Sequence, residues 1–508
     1  MKLKTTAILA VCGIVASSAA AFAIPVKPTV GVDPTALLAH ADGDVGTKKA
    51  TGARVSAGDT LLVDARLGHA SLSQGSAGET YLFAQVTAGE DKAGPAAATP
   101  MNLGVVIDRS GSMKGERIAN AMNAAALALE RMRDGDSITV VSFDTSAQVV
   151  VPPTRISAGN RSSIDAAIRS IRLGGDTCIS CGLEEGMRQL ERTTLGGDRV
   201  NRMILLSDGA TNSGVRDLGG LRAMAGRMGG RGVTISTIGV DVDFDEKIMA
   251  AIAGEANGRH YFVANASGLS NVFAQEFDDV LASVAKEAEL VIELAPGVET
   301  AEVFDRSFRR EGNKVIVPFG TFSAKQEKTV LVKLRVPTQT NGDQPVADVK
   351  LAFRDLVKRA DGMETGSLSI AVKSDGSEQK DLDPFVAARL ARSRTGQTLT
   401  EANRLFEAGH VDEARARLEA RKVDLHRTES AALAFAAATP TAAPRRSAIS
   451  LDRDFDDQTA AVAEAEANFA HAPAAKAGAG AGGFAAPPSR AGKAQVRANQ
   501  EKAFDLAF

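Results

Sequence analysis

The rhythm of hydrophobic and polar positions changes along this chain, and each change predicts a different kind of element. Residues 60–65 and 80–86 are short, β-prone runs separated by a Gly/Ser turn region. From residue 101 to 285 strands and helices alternate. Residues 103–107 are continuously apolar, as a strand buried on both faces must be. A helical stretch follows, with Ile118, Met122, Ala125 and Leu129 on one side. Further strands are predicted over 137–143, 202–207, 233–240 and 260–263, with an edge strand over 147–151 stopped by Pro152 and Pro153. Helices are predicted over 164–171, 182–193, 218–228, 245–256 and 272–284. Regular alternation of this kind predicts an α/β fold: a Rossmann-like, mostly parallel sheet with helices on both faces.

Residues 286–375 return to strands, at 289–294, 314–319, 329–336 and 347–353, in the pattern of a β-sandwich. The strands within 58–100 are too few to bury a core alone. The economical arrangement is one sandwich built from both flanks, with the α/β unit of residues 101–285 inserted into it. Residues 383–434 turn helical, and the segment LFEAGHVDEARARLEA within them resembles a tetratricopeptide hairpin. One hairpin does not make an array, so a small helical bundle is the preferred reading. Residues 436–508 are rich in Ala, Gly and Pro and are expected to be largely disordered, apart from a short helix over 457–469 and a small apolar end at 503–508.

Composition then sets the compartment and removes some partners. Met1-Lys2-Leu3-Lys4, an apolar run over 7–16 and Ala21-Phe22-Ala23 together form the basic, apolar and small-x-small sequence of a secretory signal peptide, with cleavage after residue 23. Residues 24–57 read as a flexible lead-in. No later stretch is long and apolar enough to span a membrane, so the mature chain is expected to be secreted, in a periplasm or at a cell surface. The formal charge is -3, with no Trp and only two Tyr among 508 residues, which argues against nucleic acid as a partner. Of three cysteines, Cys12 falls in the leader. Cys178 and Cys181 remain, in an oxidising compartment.

The chemistry concentrates where predicted strands end. The first strand of the α/β unit runs into Asp108-Arg109-Ser110-Gly111-Ser112, and a later buried strand runs into Asp208-Gly209. In an open parallel sheet, ligands bind just outside the carboxyl ends of the strands. Between them in sequence, Gly174-Gly175-Asp176-Thr177 opens a helix and can offer the Thr177 hydroxyl from a neighbouring loop. Asp108, Ser110, Ser112, Thr177 and Asp208 supply two carboxylates and three hydroxyls. All are hard oxygen donors, suited to Mg²⁺ above all, or to Mn²⁺ or Ca²⁺, rather than to zinc or copper. Ordinary helix caps and turns would use the same residue types, but three separate segments coincide here.

The segments Asp108-Arg109-Ser110-Gly111-Ser112-Met113, Gly175-Asp176-Thr177 and Leu205-Leu206-Ser207-Asp208-Gly209 resemble the metal-ion-dependent adhesion site of von Willebrand factor A domains. The resemblance covers about residues 101–285. It implies that Asp108, Ser110 and Ser112 touch a divalent cation directly or through water, and that Thr177 and Asp208 complete the set. A Glu or Asp of a partner protein would supply the last ligand. Asp176 stands where many relatives have Gly, and an added carboxylate there would favour Ca²⁺ or repel an acidic partner.

Cys178-Ile179-Ser180-Cys181 follows Thr177 directly. It reads as a structural disulfide that stiffens the Thr177 loop, with a redox-sensitive switch as the alternative. Asp241-Val242-Asp243-Phe244-Asp245 has the spacing of a calcium loop but carries Glu246 where Gly is needed, so it reads as a turn with Asp243 or Asp245 capping a helix. The six histidines do not cluster, and His260 reads as structural. Three functions are carried forward: a metal-dependent protein-binding module with no enzymatic activity, a metal-dependent hydrolase, and an envelope scaffold in which the metal only stabilises.

Overall fold

The computed structural model describes residues 52–90, 99–193, 197–242, 244–264, 268–377, 379–438, 450–471 and 489–507. The expected leader, the first part of the lead-in and the Ala/Gly/Pro-rich residues 472–488 lie outside them. The chain opens with β1 (Arg54–Gly58), β2 (Leu61–Leu67), β3 (Ser71–Ser73) and β4 (Glu79–Ala88). The α/β unit follows as β5 (Met101–Asp108), α1 (Glu116–Arg131), β6 (Ser137–Phe143), β7 (Ala147–Arg155), α2 (Arg161–Arg169), α3 (Ile179–Glu191), β8 (Val200–Ser207), α4 (Leu218–Gly229), β9 (Val233–Val240), α5 (Glu246–Glu255), β10 (Asn257–Val263) and α6 (Leu269–Leu281). Then come β11 (Ser283–Leu294), β12 (Glu299–Phe304), β13 (Arg309–Glu311), β14 (Lys314–Ser323), β15 (Glu327–Arg335), β16 (Gly342–Asp355) and β17 (Ala360–Lys373). Four helices close the chain: α7 (Pro384–Glu407), α8 (Val411–Ala438), α9 (Leu451–His471) and α10 (Arg490–Ala507).

In the α/β unit the strand order is β10-β9-β8-β5-β6-β7, parallel throughout except for β7. Every residue of β5, β8 and β9 is buried, because helices cover both faces. The pleat sends Val105 and Ile107 toward α1, α2 and α6, where they meet Ile118, Ile164 and Phe273. Val106 points the other way, toward Leu183 of α3 and its neighbours Leu221 and Met249. Each such side chain, fully buried, stabilises the fold by roughly 1.5–3 kcal/mol. The edge strand β7 differs from its expectation: it runs on through Pro152 and Pro153 to Arg155. The register to β6 skips between Val140 and Ile138, and on an edge strand the missing N–H groups need no ladder partner.

The flanking strands form two sheets, ordered β1-β2-β4-β15-β12 and β13-β14-β11-β16-β17-β3, antiparallel except where β3 joins β17. In the first, β4 from before the α/β unit pairs along its length with β15 from after it, for example Phe83 with Leu331. In the second, β3 pairs with β17 in parallel. One apolar core, including Leu82, Val86, Leu290, Phe319, Val332 and Leu351, draws on both flanks. The α/β unit is therefore an insertion into a single sandwich. β1 lies within the segment expected to be a flexible lead-in; pairing of Val55 with Ala65 orders it against β2.

The tail corrects the expectation most. Residues 451–471 and 490–507 are helices packed with α7 and α8 in one core that includes Leu399, Phe406, Leu418, Phe455, Val462 and Val496; the short helix expected over 457–469 lies within the first, and the rest replaces the largely disordered segment expected. The rings of Phe406 and Phe469 stack 4.4 Å apart. An Ala-rich composition reads as low complexity, yet Ala is the strongest helix former, and its small side chain lets neighbouring helices approach closely. The bundle is anchored to the sandwich where Asp383 caps α7, accepting from the Phe385 and Val386 amides at 3.0 and 3.3 Å. The same carboxylate pairs with the buried Arg66, which Asp64 also holds at 3.0 Å. Among the described residues no helix is long and apolar enough to cross a membrane.

Candidate metal centre

The strand order creates the site. From β5 the chain moves to β6 on one side of the sheet, and it returns to β8 on the other, so β5 and β8 lie side by side while their outgoing loops diverge. That divergence opens a crevice at the carboxyl ends of these two strands. Asp108 is the last residue of β5, and Asp208 directly follows β8.

Asp108 is fully buried. Its Oδ1 accepts the Ser110 amide at 2.8 Å and its Oδ2 accepts the Ser207 hydroxyl at 2.5 Å. Burial pushes its carboxyl up to about 6; the Ser207 and Ser110 hydrogen bonds oppose that rise and the neighbouring charge of Asp208 adds to it. The Ser110 and Ser112 hydroxyls lie 2.9 Å apart, and Ser112 Oγ donates to Asp208 Oδ1 at 2.7 Å. Thr177 is buried on the far side of Gly209. A Cβ at Gly209 would sit 3.4 Å from Ser112 Oγ and 3.5 Å from Thr177 Oγ1, so this bare strip of backbone is flanked by both hydroxyls. All five residues expected at the site thus converge on one crevice.

The Thr177 loop is held to the Asp108 loop by backbone. Gly174 N donates to Arg109 O at 2.7 Å and Gly111 N to Gly175 O at 3.1 Å. Only glycine fits at 174, because a Cβ there would lie 1.8 Å from a carboxylate oxygen of Asp144. Asp144 in turn pairs with Arg109 at 2.9 Å. Burial works to raise its pKa, but the amides of Ser146 and Gly175 and the charge of Arg109 outweigh it and hold the carboxyl below its ordinary value. Thr177 itself is fixed by Asn212, whose side chain accepts its amide at 2.8 Å. Cys178 and Cys181 are joined as a disulfide, and Cys178 Sγ accepts the Cys181 amide at the start of α3. Asp176 is exposed beside the crevice, its amide bonded to Thr145 Oγ1 at 3.1 Å.

Four participants escaped the sequence reading. Ser207 grips Asp108 from the neighbouring strand. Arg117, in the first turn of α1, donates to Asp208 Oδ2 at 2.6 Å, to the Ser112 carbonyl at 2.9 Å, and through Nη2 to Asp241. Burial acts against its charge, yet Asp208 and Asp241 outweigh it and raise its pKa. Asp241 directly follows β9 and also accepts Arg490 of α10 at 2.6 Å. The strand-end logic that found Asp108 and Asp208 applies equally to Asp241; reading 241–245 only as a turn concealed it. Asp245 does cap α5, accepting from Ile248 N at 3.1 Å.

The donor chemistry fits a hard divalent cation. Among the described residues no group of three or more His, Cys, Asp and Glu side chains converges. A cation here would rest on two carboxylates, on hydroxyls and on water, which is the ligand preference of Mg²⁺ and its neighbours. Asp108 is held by hydroxyl and amide donors rather than by a cationic side chain, so its buried charge leaves room for one.

Fold and crevice define an open α/β domain with an oxygen-rich edge at its strand-order reversal. The family profile for the von Willebrand factor type A domain matches residues 102–275, and this part of the chain is such a domain. A Synechocystis sp. protein called uncharacterized protein sll0103 is 25% identical over 298 residues, 56% of this chain and 69% of that one. Uncharacterized protein YfbK of Escherichia coli is 32% identical over 197 residues, covering 38% of this chain but only 34% of its own length. In structure, a von Willebrand factor type A protein from Catenulispora acidiphila superposes with a TM-score of 0.60 at 17% identity, over 75% of this chain and 88% of that one. At that identity the likeness speaks to the fold.

Proposed function

We propose that this protein is an extracytoplasmic, non-enzymatic binding module for adhesion or complex assembly, in which a divalent cation held by Asp108, Ser110, Ser112, Thr177 and Asp208 bridges to an Asp or Glu of a partner protein. The observation that carries the reading is the continuous polar chain from Asp108 through Ser110 and Ser112 to Asp208, at the strand-order reversal of a von Willebrand factor type A domain. When bound, the cation, Mg²⁺ for preference, would supply positive charge and a coordination position for an incoming carboxylate. The chain's own residues present the hydroxyls and hold the two carboxylates apart. The neutral hydroxyls leave the cation electron-poor, which favours an anionic partner. The leader over residues 1–23 and the disulfide beside Thr177 support placement outside the cytoplasm.

The test is capture from an envelope fraction by the full chain, in Mg²⁺ and in chelator, alongside Asp108→Ala. Capture that needs both Mg²⁺ and Asp108 supports the proposal. Equal capture in all three conditions favours a scaffold, and Asp108-dependent turnover of an ester or phosphoester favours a hydrolase.

A further inference from the structure

Arg117 is shared by two carboxylates. One is Asp208, a ligand in the reading above; the other is Asp241, at the end of the next strand. Asp241 is itself shared, for Arg490 of α10 binds its other oxygen at 2.6 Å. A second ion pair, Arg497 with Glu246 of α5, fastens α10 to the same corner, and Glu501 accepts the Phe262 amide of β10 at 3.3 Å. Side chains some 370 residues apart in sequence (Arg117 and Arg490) therefore share one carboxylate, each on its own oxygen, beside the proposed cation site.

We propose that the C-terminal helix α10 is a resident antagonist of cation binding, acting through the relay Arg490–Asp241–Arg117–Asp208. The inference rests on the metal-site reading above. A divalent cation on Asp208 repels the Arg117 guanidinium and competes for the carboxylate that holds it. Arg117 then has Asp241 as its one remaining carboxylate, beside the Ser112 carbonyl, and takes up the oxygen that Arg490 occupies. Arg490 is released, and the first turn of α10 loses its tie to the domain. By reciprocity, a docked Arg490 weakens the fallback position of Arg117 and keeps that side chain on Asp208, which lowers cation affinity by the same factor. Arg490 is largely exposed, so the coupling is modest.

The test titrates Mg²⁺ and Mn²⁺ by calorimetry into the full chain and its R490Q, R117Q and R117Q/R490Q variants. It also follows hydrogen exchange over residues 490–507 with Mg²⁺ and with chelator. R490Q should tighten the cation about fivefold, the low end for coupled sites, and R117Q should tighten it further. R490Q should have no effect once Arg117 is gone, because the relay is then broken. In chelator, R117Q leaves Asp241 to Arg490 and should increase protection of the first turn of α10; in the wild type, Mg²⁺ should decrease it. Cation binding by the wild type with unchanged affinity in R490Q, or equal effects of R490Q with and without Arg117, overturns the relay while leaving the site reading intact. No cation binding by any of the four proteins overturns the site reading and the relay with it.

Discussion

Asp108 should weaken the metal-free fold, and replacing it should reveal by how much. Its carboxyl sits at about 6 in the folded chain, against an ordinary value of 3.8, chiefly through burial. Between those two values the folded state holds a proton that the unfolded state has released, so stability falls as pH rises through this window and the full penalty stands above pH 6. The difference of about 2 units corresponds to about 3 kcal/mol at pH 7.5. Asp108→Asn keeps the shape, keeps an acceptor for the Ser110 amide and removes the charge. In chelator at pH 7.5 the variant should therefore be more stable than wild type in urea denaturation, by up to about 3 kcal/mol, and the gap should close as pH falls from 6 toward 4. With Mg²⁺ at one hundred times its dissociation constant, wild type should gain about 2.7 kcal/mol and the variant none. If Asp108→Asn destabilises the protein in chelator by 1 kcal/mol or more, the carboxylate is a structural element. The case for a cation at this site then loses its energetic basis.

Two further outcomes are expected. His260 is buried with Nδ1 2.9 Å from Thr237 Oγ1; burial first, and then the charge of Arg497, push its pKa down to about 3. Its folded pKa lies below the ordinary 6.5, so its contribution is intact above pH 6.5 and declines below it, by about 2 kcal/mol at pH 5. The stability difference between wild type and His260→Gln, measured by denaturant titration, should narrow by that amount between pH 6.5 and 5; a constant difference means the imidazole is not held neutral. Reducing the Cys178–Cys181 disulfide should loosen the loop that presents Thr177 and weaken Mg²⁺ binding several-fold, with little change in overall unfolding because the bond closes so short a loop. Identical Mg²⁺ titrations with and without reductant would show that the bond does not position Thr177.

Much of the fold was readable from local pattern. The buried strands announce themselves by apolar runs, residues 103–107 in β5 and 203–206 in β8, since burial on both faces leaves little place for polar side chains; β9 is equally buried but carries Thr234, Ser236 and Thr237 among its apolar residues. The carboxylates at the strand ends were readable for a related reason: Asp108 directly follows the apolar run of β5, and Asp208 follows that of β8 after Ser207. Of the two packed tail helices, only residues 457–469 were readable as helix; α10 and the packing of both against α7 and α8 were not, because their Ala-rich stripes gain their stability from that contact and carry little signal alone.

Sequence alone thus determined the order of the elements within the α/β unit, the strand ends that bear Asp108 and Asp208 and the proximity of the cysteine pair to Thr177. All of these follow from short-range periodicity and from where a buried run must stop. Tertiary structure alone decided that β4 pairs with β15 to close one sandwich around the insertion, that Ser207 holds Asp108, and that Arg117 and Arg490 meet at Asp241. Those are pairings between residues distant in the chain. Each is set by which surfaces are driven together when the separate cores are buried, and by the need of every buried charge for a partner.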